Sequence, residues 1–245
     1  MPLRRHIPNA ITCLNLFLGC VAVVFGLRGG LSMAVVLVMM AAVLDFCDGL
    51  AARLLKAYSP MGKELDSLAD LISFGLAPAA MLYYVFSGTD TELWEPFSFF
   101  PFILVVAAGL RLAKFNTDNR QSEQFLGLPT PACALLTGSL LVYLQGTPQW
   151  TPLLHTLYFI PLLVVLLSWL MLSNLPMFSL KIKVLRWKGN QIPLLFLGLS
   201  LVYISLALVF GWPWSLAVLL ILLSYLVLSL FLWAFVPPAH PARNI

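Results

Sequence analysis

Apolar runs of about twenty residues succeed one another along almost the whole chain, with only short polar breaks between them. A chain built this way cannot bury all its apolar surface in one soluble core. It reads instead as a polytopic membrane protein, an all-α bundle whose helices cross the bilayer. Of its 245 residues, 61% are hydrophobic and 10% charged, against roughly 25% charged in a soluble domain. Eight spans are expected, at about 9–27, 32–54, 66–86, 97–113, 130–145, 153–172, 193–210 and 213–235. No soluble module interrupts them. Arg4 and Arg5 before the first run imitate a signal peptide, but no small-residue cleavage site follows, so a retained helix is expected.

With eight spans both termini lie on one side. Thirteen basic residues fall on that side: Arg4, Arg5, Arg53, Lys56, Lys63, Arg111, Lys114, Arg120, Lys181, Lys183, Arg186, Lys188 and Arg243. Arg28 alone falls on the other. The positive-inside rule makes the first side cytoplasmic, with both termini there and the acidic loop of Asp90, Glu92 and Glu95 outside. Trp94, Trp150, Trp212 and Trp214 fall near outer span ends and read as an interfacial belt. The net charge of +4 follows the membrane and gives no reason to expect nucleic acid. Cys13, Cys20, Cys47 and Cys133 have no paired spacing and read as small buried apolar residues, not disulfides or zinc ligands. His6, His155 and His240 are isolated.

Against this background four aspartates stand out: Asp45 and Asp48, then Asp66 and Asp70. A carboxylate near a bilayer centre costs roughly 2.5–3.5 kcal/mol on insertion scales. Spacings of three and four put each pair on one helix face. The helices are neighbours and antiparallel, so both pairs fall near their cytoplasmic ends. Hard oxygen ligands of this kind select magnesium, manganese or calcium. Two ions about 3.5–4 Å apart could bridge the pairs and clamp a phosphate. Gly49, Ala51 and Ala52 leave room for a substrate, and Arg53 offers a cation suited to phosphate oxygens. Two other readings stand beside this one. The acids could pair with Arg53, Lys56 and Lys63 as interfacial ion pairs, or they could line the path of a cation transporter, whose site belongs nearer the midplane.

The full spacing is D-x2-D-G-x2-A-R-x8-G-x3-D-x3-D, carried by Asp45, Asp48, Gly49, Ala52, Arg53, Gly62, Asp66 and Asp70. It resembles the signature of the CDP-alcohol phosphatidyltransferases. IPNAITCLNLFLG at 7–19, DSLADLISFGLAPA at 66–79, GLRLAKFN at 109–116, FLGLPTPA at 125–132 and SNLPMFSLK at 173–181 resemble the serine-using branch of that family. The resemblance implies a six-helix phosphatidyltransferase domain over 1–190, two additional helices over 191–236 and a short cytoplasmic tail over 237–245. It also implies a homodimer. Asp45, Asp48, Asp66 and Asp70 become ligands of two divalent ions, magnesium or manganese, with Asp70 also the general base. Gly49, Arg53 and Ser59, with Asn9 and Thr12, become contacts for CDP-diacylglycerol.

The reaction implied is transfer of a phosphatidyl group from CDP-diacylglycerol to L-serine at the cytoplasmic face of the lipid bilayer, releasing CMP. A serine carboxylate needs a cation. Arg111 and Lys114 at the inner end of the fourth span are the candidates, with Asn116 as a polar partner. Glycerol 3-phosphate or inositol phosphate is the rival acceptor, though each would want more basic residues.

Overall fold

The computed structural model describes residues 6–88, 95–117, 125–178 and 191–235. Helix α1 (Ile7–Leu27) and α2 (Leu31–Leu54) form an antiparallel pair. The buried residues of α1 are Pro8, Thr12, Asn15, Gly19, Ala22 and Gly26, a stripe repeating every three or four positions. Most are small, which lets backbones approach closely in an apolar medium where packing replaces the hydrophobic effect. Asn15 is fully buried within this stripe, and the Ser73 hydroxyl donates to its Oδ1 at 2.8 Å.

At the end of α2 the chain reverses sharply. Lys56 adopts a left-handed φ of 51°. The Ala57 N–H then donates to Ala52 O at 2.9 Å and that of Lys56 to Arg53 O at 3.3 Å. This is the Schellman arrangement, here with lysine where glycine is usual. It turns the chain into Ser59, whose hydroxyl accepts from the Gly62 N–H at 3.0 Å and caps α3 (Pro60–Asp70). Serine before proline is a strong helix start. The third span therefore begins at Pro60, six residues before the expected 66, because the capping signal and not hydropathy decides the boundary.

A π-helical segment, Leu71–Leu76, joins α3 to α4 (Ala77–Ser87), so one continuous helix covers Pro60–Ser87. Pro78 lies four residues after Phe74 and can neither donate to its carbonyl nor pass it without a clash. The wider π turn absorbs that conflict. A 3-10 segment, Glu95–Phe102, containing Pro101, leads into α5 (Ile103–Thr117). Strands β1 (Phe125–Leu126) and β2 (Pro176–Met177) pair antiparallel and bracket α6 (Thr130–Gln145), α7 (Thr151–Leu154) and α8 (Phe159–Leu172). Gly127 between β1 and α6 has φ 75°, and a Cβ there would lie 2.9 Å from Ser173 O. Helices α9 (Gln191–Phe210) and α10 (Trp214–Phe235) complete the set, with α10 packed on α6 and β2.

The fold is helical and polytopic as expected, but the count of eight crossings is not met by length alone. Six helices are long and apolar enough to cross: Ile7–Leu27, Leu31–Leu54, Pro60–Ser87, Pro96–Thr117, Gln191–Phe210 and Trp214–Phe235. The helix over 130–145 has 16 residues. The expected span over 153–172 is broken between α7 and α8, because Pro161 is tolerated only in the first turn of a helix. Cys13 and Cys20 are exposed on α1, not buried as expected, since they lie off its packed stripe. All four cysteines are free. Of the residues used for the orientation, Arg4, Arg5, Asp90, Glu92, Arg120, Lys181, Lys183, Arg186, Lys188 and Arg243 lie outside the described residues, as do Trp94 and the tail.

Gly19 is where α1 meets the π segment most tightly. A Cβ at Gly19 would lie 2.9 Å from Ser73 Cα, a backbone atom that cannot rotate away. Gly19→Ala should therefore destabilise the protein by about 1–3 kcal/mol through overpacking. Thermal unfolding of the detergent-purified protein checks this, and an unchanged midpoint would mean that the two helices slide apart freely.

Candidate functional site

Three of the four acids come together, and Asp70 stands outside that group. One carboxylate oxygen each from Asp45, Asp48 and Asp66 lies within 4.8 Å of the others. Asp48 is 5% exposed, while Asp45, Asp66 and Asp70 are half-buried. Asp70 is the last residue of α3 and interacts electrostatically with the other three acids and with Arg111. Asp45 lies nine residues before the end of α2, about 14 Å along its axis.

Hydrogen bonds hold the helices of the cluster from two sides, α1 and α5. The Thr12 hydroxyl on α1 donates to Asp48 Oδ2 at 2.6 Å, with Pro8 O at 3.0 Å as its alternative acceptor. Asn116 Nδ2 donates to Ser67 Oγ at 2.8 Å, and Lys63 Nζ donates to Asn116 O at 3.3 Å. These two bonds bolt the end of α5 to the helix carrying Asp66 and Asp70. Oδ1 of Asp66 and Oδ1 of Asp70 are buried, and neither has a hydrogen-bond partner among the described residues. Two orphaned carboxylate oxygens beside a three-carboxylate cluster fit a divalent cation. The donor set is all hard oxygen, which suits such an ion better than a soft one.

A cavity of about 530 Å³ adjoins the cluster. Its walls are Pro8, Asn9 and Thr12 of α1, Asp48, Gly49 and Ala52 of α2, and the turn Ala57–Tyr58–Ser59 with Pro60, Gly62, Lys63 and Asp66. Gly49 faces open space, with nothing within 4 Å of a Cβ built there. Gly62 does the opposite: its Cβ would sit 2.8 Å from Asn9 Oδ1, so α3 starts close against the Asn9 side chain of α1. The capped N-terminus of α3 opens on this cavity, and its dipole favours a bound anion. A second, apolar cavity of about 700 Å³ is lined by Leu14, Leu18, Val36, Met39, Met40, Val43, Leu44, Trp214 and Val218. Leu44 immediately precedes Asp45, so the apolar cavity begins where the acids end.

Of the nucleotide-side candidates, Asn9, Thr12, Gly49 and Ser59 line the polar cavity. Arg53 does not: it is exposed, and its Nε donates to Gly49 O at 3.0 Å. Lys63 lines the cavity instead, a role that its place between the two motif halves did not reveal. Arg111 is 8% exposed, with Asp70, Cys133 and Tyr225 within electrostatic reach. Lys114 and Asn116 do not join it. Lys114 Nζ donates to Asn174 Oδ1 at 2.7 Å, and Asn116 is taken up by α3. Of the three cations in the ion-pair reading, Arg53 and Lys63 donate to backbone carbonyls.

Long apolar helices around a carboxylate cluster, with one polar cavity beside it and one apolar cavity next to that, define an all-α polytopic membrane protein with an acidic centre. The CDP-alcohol phosphatidyltransferase family model matches residues 5–233, and the chain belongs to that family. Similar curated proteins share one description, CDP-diacylglycerol–serine O-phosphatidyltransferase. That of Mycobacterium leprae (strain TN) is 37% identical over 180 residues, covering 70% of this chain and 57% of the relative. That of Helicobacter pylori (strain ATCC 700392 / 26695) is 33% identical over 201 residues, covering 80% and 81%. That of Bacillus subtilis (strain 168) is 37% identical over 150 residues, covering 58% and 77%. The chain thus spans less than two thirds of the mycobacterial relatives it matches, 57% and 60% for two of them.

The Thr12–Asp48 bond is the shortest polar link between α1 and the cluster. Thr12→Val keeps the shape and removes the donor. A hydrogen bond to a charged group contributes about 1.5–3 kcal/mol, and that much unfolding stability should be lost. Thr12→Ser should recover most of it. Denaturant titration of all three proteins in one detergent measures the difference.

Proposed function

We propose that the protein transfers a phosphatidyl group from CDP-diacylglycerol to L-serine, giving phosphatidylserine and CMP. The observation that carries this is the junction of the acidic cluster, with its orphaned Asp66 and Asp70 oxygens, and the cavity at the capped start of α3. The serine-using description of the similar proteins supports the choice of acceptor. The site faces the cytoplasm, in keeping with the basic residues Arg53, Lys56, Lys63 and Lys114 around it. The bilayer is both solvent and partner, because the donor's acyl chains stay in it. The apolar cavity starting at Leu44 supports that placement.

In this reading Asn9, Thr12, Gly49 and Ser59 receive the CDP moiety, with Lys63 beside its phosphates. Asp45, Asp48, Asp66 and Asp70 would hold two divalent ions, magnesium or manganese. Such ions, when bound, orient a pyrophosphate and offset the charge that develops on its leaving oxygen. The serine hydroxyl oxygen attacks the phosphorus that bears diacylglycerol. The bond from that phosphorus to the bridging oxygen breaks, and CMP departs with the oxygen. Asp70 Oδ1 takes the hydroxyl proton; it is buried and free of other hydrogen bonds among the described residues. Arg111 receives the serine carboxylate. Its buried guanidinium lies within electrostatic reach of Asp70, so both ends of one small amino acid are met together. Thr12 keeps Asp48 oriented, and the Asn116–Ser67 and Lys63–Asn116 bonds keep α3 in register with α5.

A CMP-release assay on purified protein in mixed micelles, with a panel of alcohols, tests the assignment. CMP should appear with serine and not with glycerol 3-phosphate or inositol phosphate, and chelation should stop it until magnesium or manganese is restored. Asp70→Asn should lower turnover by at least about 10²–10⁴-fold, the usual contribution of a general base. It should still bind CDP-diacylglycerol. Release driven by another alcohol would overturn the acceptor, and near-normal turnover by Asp70→Asn would move the base elsewhere.

Arg111→Ala separates a binding role from an anchoring one. If the guanidinium holds the carboxylate, the serine KM should rise by about 10- to 150-fold. The KM for CDP-diacylglycerol should change little. Arg111→Lys should recover only part of the loss, because an ammonium lacks the planar fork. Steady-state kinetics with one substrate varied at a time reads both constants.

A further inference from the structure

Asp70 stands outside the close group of three acids, and its Oδ1 has no hydrogen-bond partner among the described residues. Its aim therefore depends on the backbone that carries it. That backbone changes character at this residue: α3 ends on Asp70 and the π segment starts at Leu71. Turns of the π kind are rare and gather at functional sites.

Two side-chain hydrogen bonds pin this stretch, one on each side of Asp70. Three residues before it, Ser67 Oγ accepts from Asn116 Nδ2 of α5 at 2.8 Å. Three residues after it, the Ser73 hydroxyl donates to Asn15 Oδ1 of α1 at 2.8 Å, with Asn15 O at 3.2 Å as the second acceptor. Asn15 and Ser73 are both 0% exposed. One turn further along α1, a Cβ at Gly19 would lie 2.9 Å from Ser73 Cα, so α1 grips the π segment at two successive levels. An amide is a costly filler for an apolar stripe. Gly19, Ala22 and Gly26 fill the rest of that stripe with small residues, while its polar members each hold a helix that carries acids: Thr12 bonds Asp48, and Asn15 bonds Ser73. Hydrogen bonds between membrane helices contribute little to stability on average. The Nδ2 of Asn15 has no partner among the described residues, which makes the amide a still weaker stabiliser.

We propose that Asn15 and Ser73 are positioning residues: the buried hydrogen bond between them ties the π segment to α1 and so sets the reach of the Asp70 carboxylate. This role rests on Asp70 being the general base proposed above. Without the bond, the turn that follows Asp70 is held to α1 by packing alone. A shift of about one ångström there moves the carboxylate out of line with the acceptor hydroxyl, and a misplacement of that size can cost roughly 100-fold in rate.

Ser73→Ala is the first test, since it removes one oxygen and nothing else. Turnover of the purified full chain is counted per CMP-binding site, so that unfolded protein is not scored. The kcat should fall roughly 10- to 100-fold. The KM values for serine and for CDP-diacylglycerol should hold within about two-fold, which marks a loss confined to the transition state. Asn15→Val combined with Ser73→Ala removes both polar partners, which is nearly neutral for stability where removing one is not. In that double variant the unfolding midpoint should return toward the wild type while kcat stays low. An unchanged kcat in Ser73→Ala, or a kcat that recovers together with the midpoint, would overturn the proposal and leave the pair a folding contact. Near-normal turnover by Asp70→Asn would overturn the base and this role with it. An inactive Asp70→Asn beside a fully active Ser73→Ala overturns this role alone.

Discussion

Carboxylates a few ångströms apart repel one another, and the repulsion sharpens as the surroundings grow less polar. Asp45, Asp48 and Asp66 are held against it by backbone packing that is decided elsewhere. Small residues down one side of α1 let that helix lie close to α2 and to the π segment. The left-handed turn at Lys56 and the cap at Ser59 bring the chain back at once, so α3 starts beside α1 with Gly62 against Asn9. Only then does Asp66 meet Asp45 and Asp48. The cost of crowding them is offset when cations are bound, which ties the local energetics to the function proposed for the site.

What could be read from the residues alone was the local part. Spacings of three and four placed each acid pair on a helix face, and the antiparallel order of short-looped helices placed Asp66 beside Asp45 and Asp48. Span ends were less legible where hydropathy and capping disagree. The third helix begins at Pro60 because Ser59 caps it, although Lys63, Glu64 and Asp66 make its start charged. Pro161 divides a run that looks continuous by composition. The fate of individual cations was not legible at all. Arg53 turns back to its own helix and Lys63 faces the cavity, a difference of rotation about the helix axis that sequence spacing does not fix.

The two cavities explain why such a site belongs where a membrane meets water. Thr12 lines the polar one, and Leu14, two residues on, lines the apolar one. On α2 the same change occurs between Leu44 and Asp48. The chain thus passes from carboxylates to aliphatic side chains within about a helical turn, roughly 5 Å. A donor with a nucleotide at one end and acyl chains at the other, as proposed here, matches that gradient without leaving the bilayer.

The π segment between Asp70 and Ala77 carries a geometric consequence of its own. Six residues wound at the π pitch turn through about one residue's angle less than an α-helix would, close to 100°. Residues 60–87 are therefore one rod with two phases. Upstream of the slip, Asp66 and Asp70 keep the face demanded by α2 and α5. Downstream, Met81, Leu82 and Phe86 keep the face demanded by the core. A uniform helix of the same sequence could satisfy one set or the other. The slip lets the acidic face and the packing face diverge independently, as two gears on one shaft are clocked apart by a single offset tooth.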